Sequence, residues 1–284
     1  MNGYEALRES AAWIHLSASG NICVNGDGRA RLLHAITTNH IQQLTPGAGC
    51  YVFFLNAQGR VLADANILCR EDRLLIDTEP DLRERIYARL DRYIIAADVT
   101  LDDTTARTTT LAIKGPRSAE VLARIGAPLP ESDYAFVPWG SRLLARLSST
   151  GSTGFFVFAP LDEQPALIAQ LGIEQADAEA ARIVRLEHGK PRSGEDITDR
   201  FLAQETNQSH ALHFSKGCYF GQEIVEGVRA QLHRRPMSLD IDGATAPAPR
   251  TRITTQGNAT AEITSAAFSP ALAKVVALAY VPTV

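Results

Sequence analysis

An order of elements that occurs twice along the chain restricts its fold more than any other feature. In the first pass, ASGNICVNGDGRARLLHAITTNHI reads as a short strand, a glycine-marked turn at Asn25 to Gly28, and an amphipathic helix with Leu33, Ile36 and His40 toward one side. GCYVFFLNAQGRVLADANILCREDRLLIDT alternates as three strands joined at Asn56 to Gly59 and at Arg70 to Arg73, the pattern of antiparallel sheet. DLRERIYARLDRYII then sets Leu82, Ile86, Leu90 and Ile94 four apart with charges filling the other face, which predicts a helix. In the second pass, TTTLAIKGP is a strand ending at Pro116 in a first helical turn. The helix SAEVLARIG, strands around SRLLARLS and TGFFVFAP, and the helix PALIAQLG follow.

ADAEAARIVRLEHG predicts a further helix closed by Gly189, followed by a long polar stretch from Lys190 to Gly217. From Met237 onward Thr, Ala, Pro and Val dominate, APAPRTR is a stiff break, and ITTQGNATAEITSAAF and KVVALAYVP read as strands. The expected class is α+β: a first αβ unit over residues 1–105, a related second unit over 106–235, and a small C-terminal β-domain over 236–284.

At 284 residues, 45% apolar and 21% charged, the composition is that of a globular protein. A net charge of -4 is too balanced for nucleic-acid binding through bulk electrostatics, and the longest apolar run, near Val275 to Val281, is too short to span a bilayer. A cytoplasmic location is expected. The four cysteines form no CxxC pair and have no histidines at zinc-ligand spacing, so reduced thiols are the default; Cys23, Cys50 and Cys69 sit in or beside strand-like runs as small hydrophobes would.

Cys218 differs, because it stands in KGCYFGQE, from Lys216 to Glu223. With Ile224, Val228 and Leu232 four apart beyond it, the thiol is placed in a loop entering a helix, where the helix end and Lys216 would lower its pKa and make it a nucleophile or a metal ligand. The competing reading is a tight turn at Gly217 and Gly221 with Cys218 and Tyr219 packed beneath it. His210 and His213 add two imidazoles nearby, but in no recognised metal-ligand pattern.

KGCYFGQE resembles the K-G-C-x-x-G-Q-E signature of the YgfZ folate-binding proteins, relatives of mitochondrial iron-sulfur assembly factors. GNICVNGDGRARLLHAITTNHI, LNAQGRVLAD, LAIKGPRSAEVL, SSTGSTGFFVFAP, VRLEHGKPRSGEDI and ITSAAFSPALAKVVALAYV resemble segments of the superfamily that includes aminomethyltransferase, the T-protein of glycine cleavage. The resemblance implies two αβ units and a terminal Greek-key barrel around a central cavity that holds tetrahydrofolate.

It further implies pterin binding by Glu187, since RLEHGKP matches the T-protein's RLEAGMP, and it offers Arg60, Thr37, Thr38, Asn39, Tyr219 and Gln222 as cavity residues beside Cys218 and Lys216 as working groups. Asn56 and Gly59 match as well but read as a hairpin turn. Tyr51 and Phe53 could flank a pterin, although aromatics on strands are usually core. Asp81 and Glu84 are the candidates for the T-protein's assisting acid, against a simpler account as surface charges. Gln222 stands where the T-protein has a basic residue, which argues against aminomethyl transfer. The implied function is a folate-dependent accessory role in iron-sulfur cluster assembly or repair, including support of tRNA-modifying iron-sulfur enzymes, with iron-sulfur client or assembly proteins as partners. The alternatives are a folate-dependent aminomethyltransferase or demethylase, and a folate-sensing scaffold.

Overall fold

Period-two alternation sorts the strands' side chains onto two faces, and on the central strands Gly20–Asn25, Arg73–Thr78, Thr108–Lys114 and Gly154–Pro160 both faces are buried. In the computed structural model, which describes residues 1–16, 19–94, 98–227, 232–255 and 259–283, a five-stranded antiparallel sheet runs in the order Gly49–Leu55, Val61–Cys69, Arg73–Thr78, Gly20–Asn25, Thr100–Asp103. One of its faces carries Ile22, Val24, Ile67 and Ile76, packed under Leu33 and Ile36 of the helix Arg29–Ile36 and Ile86 and Leu90 of the helix Arg83–Tyr93. The stripe Leu82, Ile86, Leu90, Ile94 is the inner side of that cover.

The opposite face presents Cys23, Leu68 and Leu75 to Phe136, Leu143, Phe156 and Phe158 of a second sheet. That six-stranded sheet runs Glu174–Gln175, Ala12–His15, Thr108–Lys114, Gly154–Pro160, Arg142–Ala145, Phe136–Trp139. On the strand Gly154–Pro160 the alternation is complete: Phe156 and Phe158 face the first sheet, while Phe155 and Val157 lie under Val121, Leu122, Leu167 and Leu171 of the outer helices. Two sheets sandwiched between two helix layers result, with the pocket-forming seam between the sheets.

The N-terminal boundary needs correction. Ala12–His15, expected within the first unit, pairs antiparallel with Thr108–Lys114 (Trp13 opposite Ile113) in the second sheet. The preceding helix Gly3–Glu9, capped by Asn2 and Glu5, packs on the helix Ala178–Glu187. An unpaired strand edge needs a partner for its backbone groups, and nothing in AAWIHL says which sheet supplies it.

The C-terminal sheet, Arg234–Ile241, Lys274–Pro282, Thr260–Ser269, Arg252–Thr254, is antiparallel throughout. It packs on the helix Ala178–Glu187 through Leu186 against Ala267, Val276 and Leu278. A polar knot reinforces the contact: buried Asp196 accepts from Arg185 at 2.6 Å, Thr264 at 2.6 Å and Ser265 at 2.5 Å. Among the described residues no helix is long and apolar enough to cross a membrane.

Candidate functional site: a polar cleft and a cysteine loop

Where the two sheets and the loop after Glu187 meet, charged residues stand on strands that should be apolar. Ala63, Ala65 and Ile67 pack in the helix-covered cluster, so the alternate positions Asp64 and Asn66 face the seam. Asp64 is buried and takes a short hydrogen bond from the Tyr51 hydroxyl. Its desolvation raises the carboxyl's pKa, opposed by hydrogen bonds from Tyr51 and Ser193. Opposite Asn66 lies Asp77, which accepts from Asn66 Nδ2 at 2.9 Å; burial first, then Glu79 and Asp64, push its pKa up to about 7.

Two lysines answer these acids. Lys114 is fully buried, with Nζ donating to the carbonyl of Leu147 and lying 4.5 Å from the Phe156 ring centroid; desolvation holds its pKa well below the usual lysine range. Lys190, also lowered by burial, sits 5.6 Å from the Tyr51 ring centroid, and the His210 ring stacks with Tyr51 at 5.3 Å. Two adjoining cavities of 110 and 480 Å³ share Tyr134, Ser148 and Lys190 as walls. Asp64, Asp77 and Lys190, whose pKa values burial displaces, all line the smaller of these cavities, which makes the cleft the candidate site.

The cysteine loop stands one packing layer away. Tyr219, part of the motif, packs with Phe53, Leu55, Val61 and Val225, and Tyr51 borders the same cluster. Lys216 is buried, its Nζ bound to the carbonyls of His34 and Thr37 and lying 4.6 Å from the Tyr219 ring centroid, while His34 Nε2 donates to the Lys216 carbonyl at 2.8 Å. Burial pushes the Lys216 pKa down to about 7. The lysine therefore anchors the loop to the end of the helix Arg29–Ile36, and its ammonium is directed at carbonyls rather than at the thiol as the sequence suggests.

The tight-turn reading fits the glycines and Tyr219 but not Cys218. Gly217 and Gly221 have φ of 90° and 82°, the left-handed region that glycine tolerates. A Cβ at Gly221 would lie 2.6 Å from the Asn56 carbonyl, so the turn is tight as the simpler account requires. Tyr219 lies beneath it, but Cys218 is exposed, whereas Cys23 is buried and Cys50 and Cys69 are partly so. Desolvation raises the pKa of all three of those, Cys50 to about 12. The following helix is Gln222–Gly227, starting four residues past the thiol; it buries Val225 and leaves Ile224 36% exposed, and Val228 lies outside the described residues.

Several residues expected at the cavity serve the scaffold instead. Thr37 donates to the Leu33 carbonyl at 2.7 Å, and Thr38 bridges the Ala211 carbonyl at 2.6 Å and the Phe53 amide at 2.9 Å. Asn39 binds the carbonyls of Tyr51 and His210 at 3.0 and 2.9 Å, and Arg60 binds that of Arg200 at 2.6 Å. Gln222 folds back on the Tyr219 amide at 3.3 Å and donates to Glu226 at 2.6 Å. Asn56 and Gly59 form the hairpin turn, with both Gln58 and Arg60 amides on Asn56 Oδ1. Asp81 and Glu84 are exposed. His213 contacts the His40 ring at 5.1 Å, and no group of three or more His, Cys, Asp or Glu among the described residues could hold a metal ion.

Glu187 is the main correction. Its carboxylate, 5% exposed, accepts from the Tyr4 hydroxyl at 2.5 Å, the Ser269 hydroxyl at 2.6 Å and the Arg8 guanidinium. It joins the N-terminal helix and C-terminal sheet, and it lines neither cavity. Glu187→Gln is expected to lower stability by about 1–3 kcal/mol in a thermal melt, as loss of a buried charge-assisted contact does, and to leave folate affinity unchanged in a calorimetric titration.

Residues 2–216 match the family model for the GCVT N-terminal domain, and residues 234–284 match that for the glycine cleavage T-protein C-terminal barrel domain. The chain belongs to the GCVT family. Among GCVT relatives, an aminomethyltransferase of Rubrobacter xylanophilus is 26% identical, with 98% of this chain and 78% of the relative covered. One from Frankia alni is 27% identical, covering 97% and 79%. The crystal structure of glycine cleavage system aminomethyltransferase T from Bartonella henselae superposes with a TM-score of 0.89 at 22% identity, over 99% of this chain and 80% of that one. The GCVT fold of mixed αβ units with antiparallel sheets and a small curled C-terminal β-domain agrees with the expected class.

Proposed function

We propose that this GCVT-family protein binds tetrahydrofolate in the cleft between its sheets and uses Cys218 in an accessory role in iron-sulfur cluster assembly or repair, of the YgfZ type. What supports the reading is the exposure of Cys218 on the KGCYFGQE loop, set against three thiols that burial keeps protonated. The donor set of the cleft fits a folate. Tyr51, Tyr134 and Phe156 offer aromatic faces, Asp64 and Asn66 offer hydrogen-bonding edges, and Lys190 and Arg146 offer cations to a glutamate tail. Bound, the folate supplies a one-carbon carrier; the chain's own groups orient it and exclude water.

In this arrangement Asp64 accepts pterin N–H donors, Tyr51 fixes the Asp64 carboxylate, and Lys190 balances its charge across the cleft. Cys218 faces solvent, where a partner protein can reach it. The test is complementation: the chain restores iron-sulfur enzyme activity, including tRNA thiolation, in a deletion strain lacking its counterpart, and failure to do so removes the accessory role. A second reading, folate-dependent aminomethyl transfer, draws on the aminomethyltransferase relatives and on Asp64 as an acid inside the cleft. Methylene-tetrahydrofolate formation from an aminomethyl-lipoyl carrier would promote it over the first.

A further inference from the structure

A cavity larger than either part of the cleft stands apart from it. It lies on the seam between the same two sheets, has a volume of 910 Å³, and shares no residue with the two cavities of the cleft. Phe158 lines it, while Phe156, two residues earlier on the same strand, lines the cleft. Its size is that of a pocket for a small organic ligand.

Its walls divide by chemistry. The deep part is apolar and aromatic: Leu75, Phe136, Leu143 and Phe158 are each 5–6% exposed. Asn21 also lines it, 2% exposed; its Nδ2 donates to Thr110 Oγ1 at 3.1 Å, and its buried Oδ1 has no hydrogen-bond partner among the described residues. The outer part carries four arginines, Arg70, Arg73, Arg107 and Arg142, against two acids, Glu71 and Asp72. Arg73, Arg107 and Arg142 pair with Asp72, Asp102 and Glu163, and Arg70 has no ion pair among the described residues.

We infer that this cavity is a second ligand site, for a ring-bearing organic anion of nucleoside-monophosphate size. Its rings lie among the apolar walls, and its acid group meets the arginines at the mouth. Planar guanidinium groups pair bidentately with carboxylate, phosphate or sulfonate, which makes arginine the fitting cation there.

Two fluorescent probes test this on the full chain. 8-Anilinonaphthalene-1-sulfonate has the rings, the N–H and the anion, and N-phenyl-1-naphthylamine has the same rings and N–H without the anion. The sulfonate is expected to bind one equivalent about tenfold more tightly than the neutral probe, and Arg70→Gln/Arg107→Gln should abolish that difference while leaving the melting temperature intact, since both side chains are outside the core. Excess tetrahydrofolate should not displace the sulfonate. Equal binding of the two probes, an unchanged sulfonate affinity in the double variant, or displacement by folate would each overturn the assignment. None of these outcomes depends on the iron-sulfur role.

Discussion

A Cys218→Ala chain is expected to lose complementation of an iron-sulfur deletion strain by about tenfold or more, while Cys23→Ala keeps most of it, because only an exposed thiol can meet a partner. The contrast rests on burial: Cys218 is exposed and Cys23 is 6% exposed with its pKa raised by desolvation. Loss at Cys218 should come without loss of folding, since the neighbouring loop is held by Lys216 on the His34 and Thr37 carbonyls and by Tyr219 in its apolar cluster. Melting temperature and folate affinity are the controls. Cys218→Ser should fail as alanine does, because a hydroxyl of similar size does not bind soft metals and sulfur species. Full activity in either variant would leave the fold and the folate site without the thiol's role.

The second large effect is expected at Asp64. Asp64→Asn should weaken tetrahydrofolate binding by about tenfold to a hundredfold, the range for losing a charge-assisted hydrogen bond in a desolvated site. The pH dependence gives a sharper reading. The Asp64 carboxyl is raised by burial, and its anionic form is the one that accepts N–H donors. Affinity of the parent chain should therefore fall as pH drops through that raised pKa, and the asparagine variant, with nothing to titrate at that position, should lose this component. Calorimetry at a series of pH values measures both. A parallel fall in the two proteins would assign the effect to another group, with Asp77 first in line because its pKa is pushed up to about 7 beside it.

Much of the architecture was legible in the chain because it is written in short-range periodicity. The four-residue stripe of the helix Arg83–Tyr93 and the alternation of the hairpins from Gly49 to Thr78 each report burial by their own spacing. The site was less legible. Asp64, Asp77, Lys114 and Lys190 come from strands and a loop spread over more than a hundred residues, and each alone reads as an ordinary charge. The signal was present in one place: Asp64 and Asn66 interrupt an apolar strand at alternate positions, which marks a face that cannot be simple core.

The resemblance of RLEHGKP pointed to Glu187, three residues before Lys190, which does line the cleft. The helix ends between them, with Gly189 at φ 63°, so that Glu187 turns toward Tyr4 and Ser269 while Lys190 turns toward Tyr51. A shift of three residues across a helix end reverses which neighbour a side chain meets.

By itself the sequence determined much of the inventory: most helices and strands from Gly20 to Gly189, which face of them is apolar, and that one cysteine stands in a loop unlike the others; the helix Gly3–Glu9 and the strands Ala12–His15 and Arg234–Ile241 lay outside that inventory. Only the tertiary structure decided the partners: that Ala12–His15 completes the second sheet, that Glu187 is a clamp, that Lys216 anchors a loop, and that two acids and Lys190 share a cleft. Periodicity is set by neighbours a few residues apart, whereas the partner of an edge strand or a buried charge is chosen among distant segments by desolvation and close packing, and no local spacing encodes that choice.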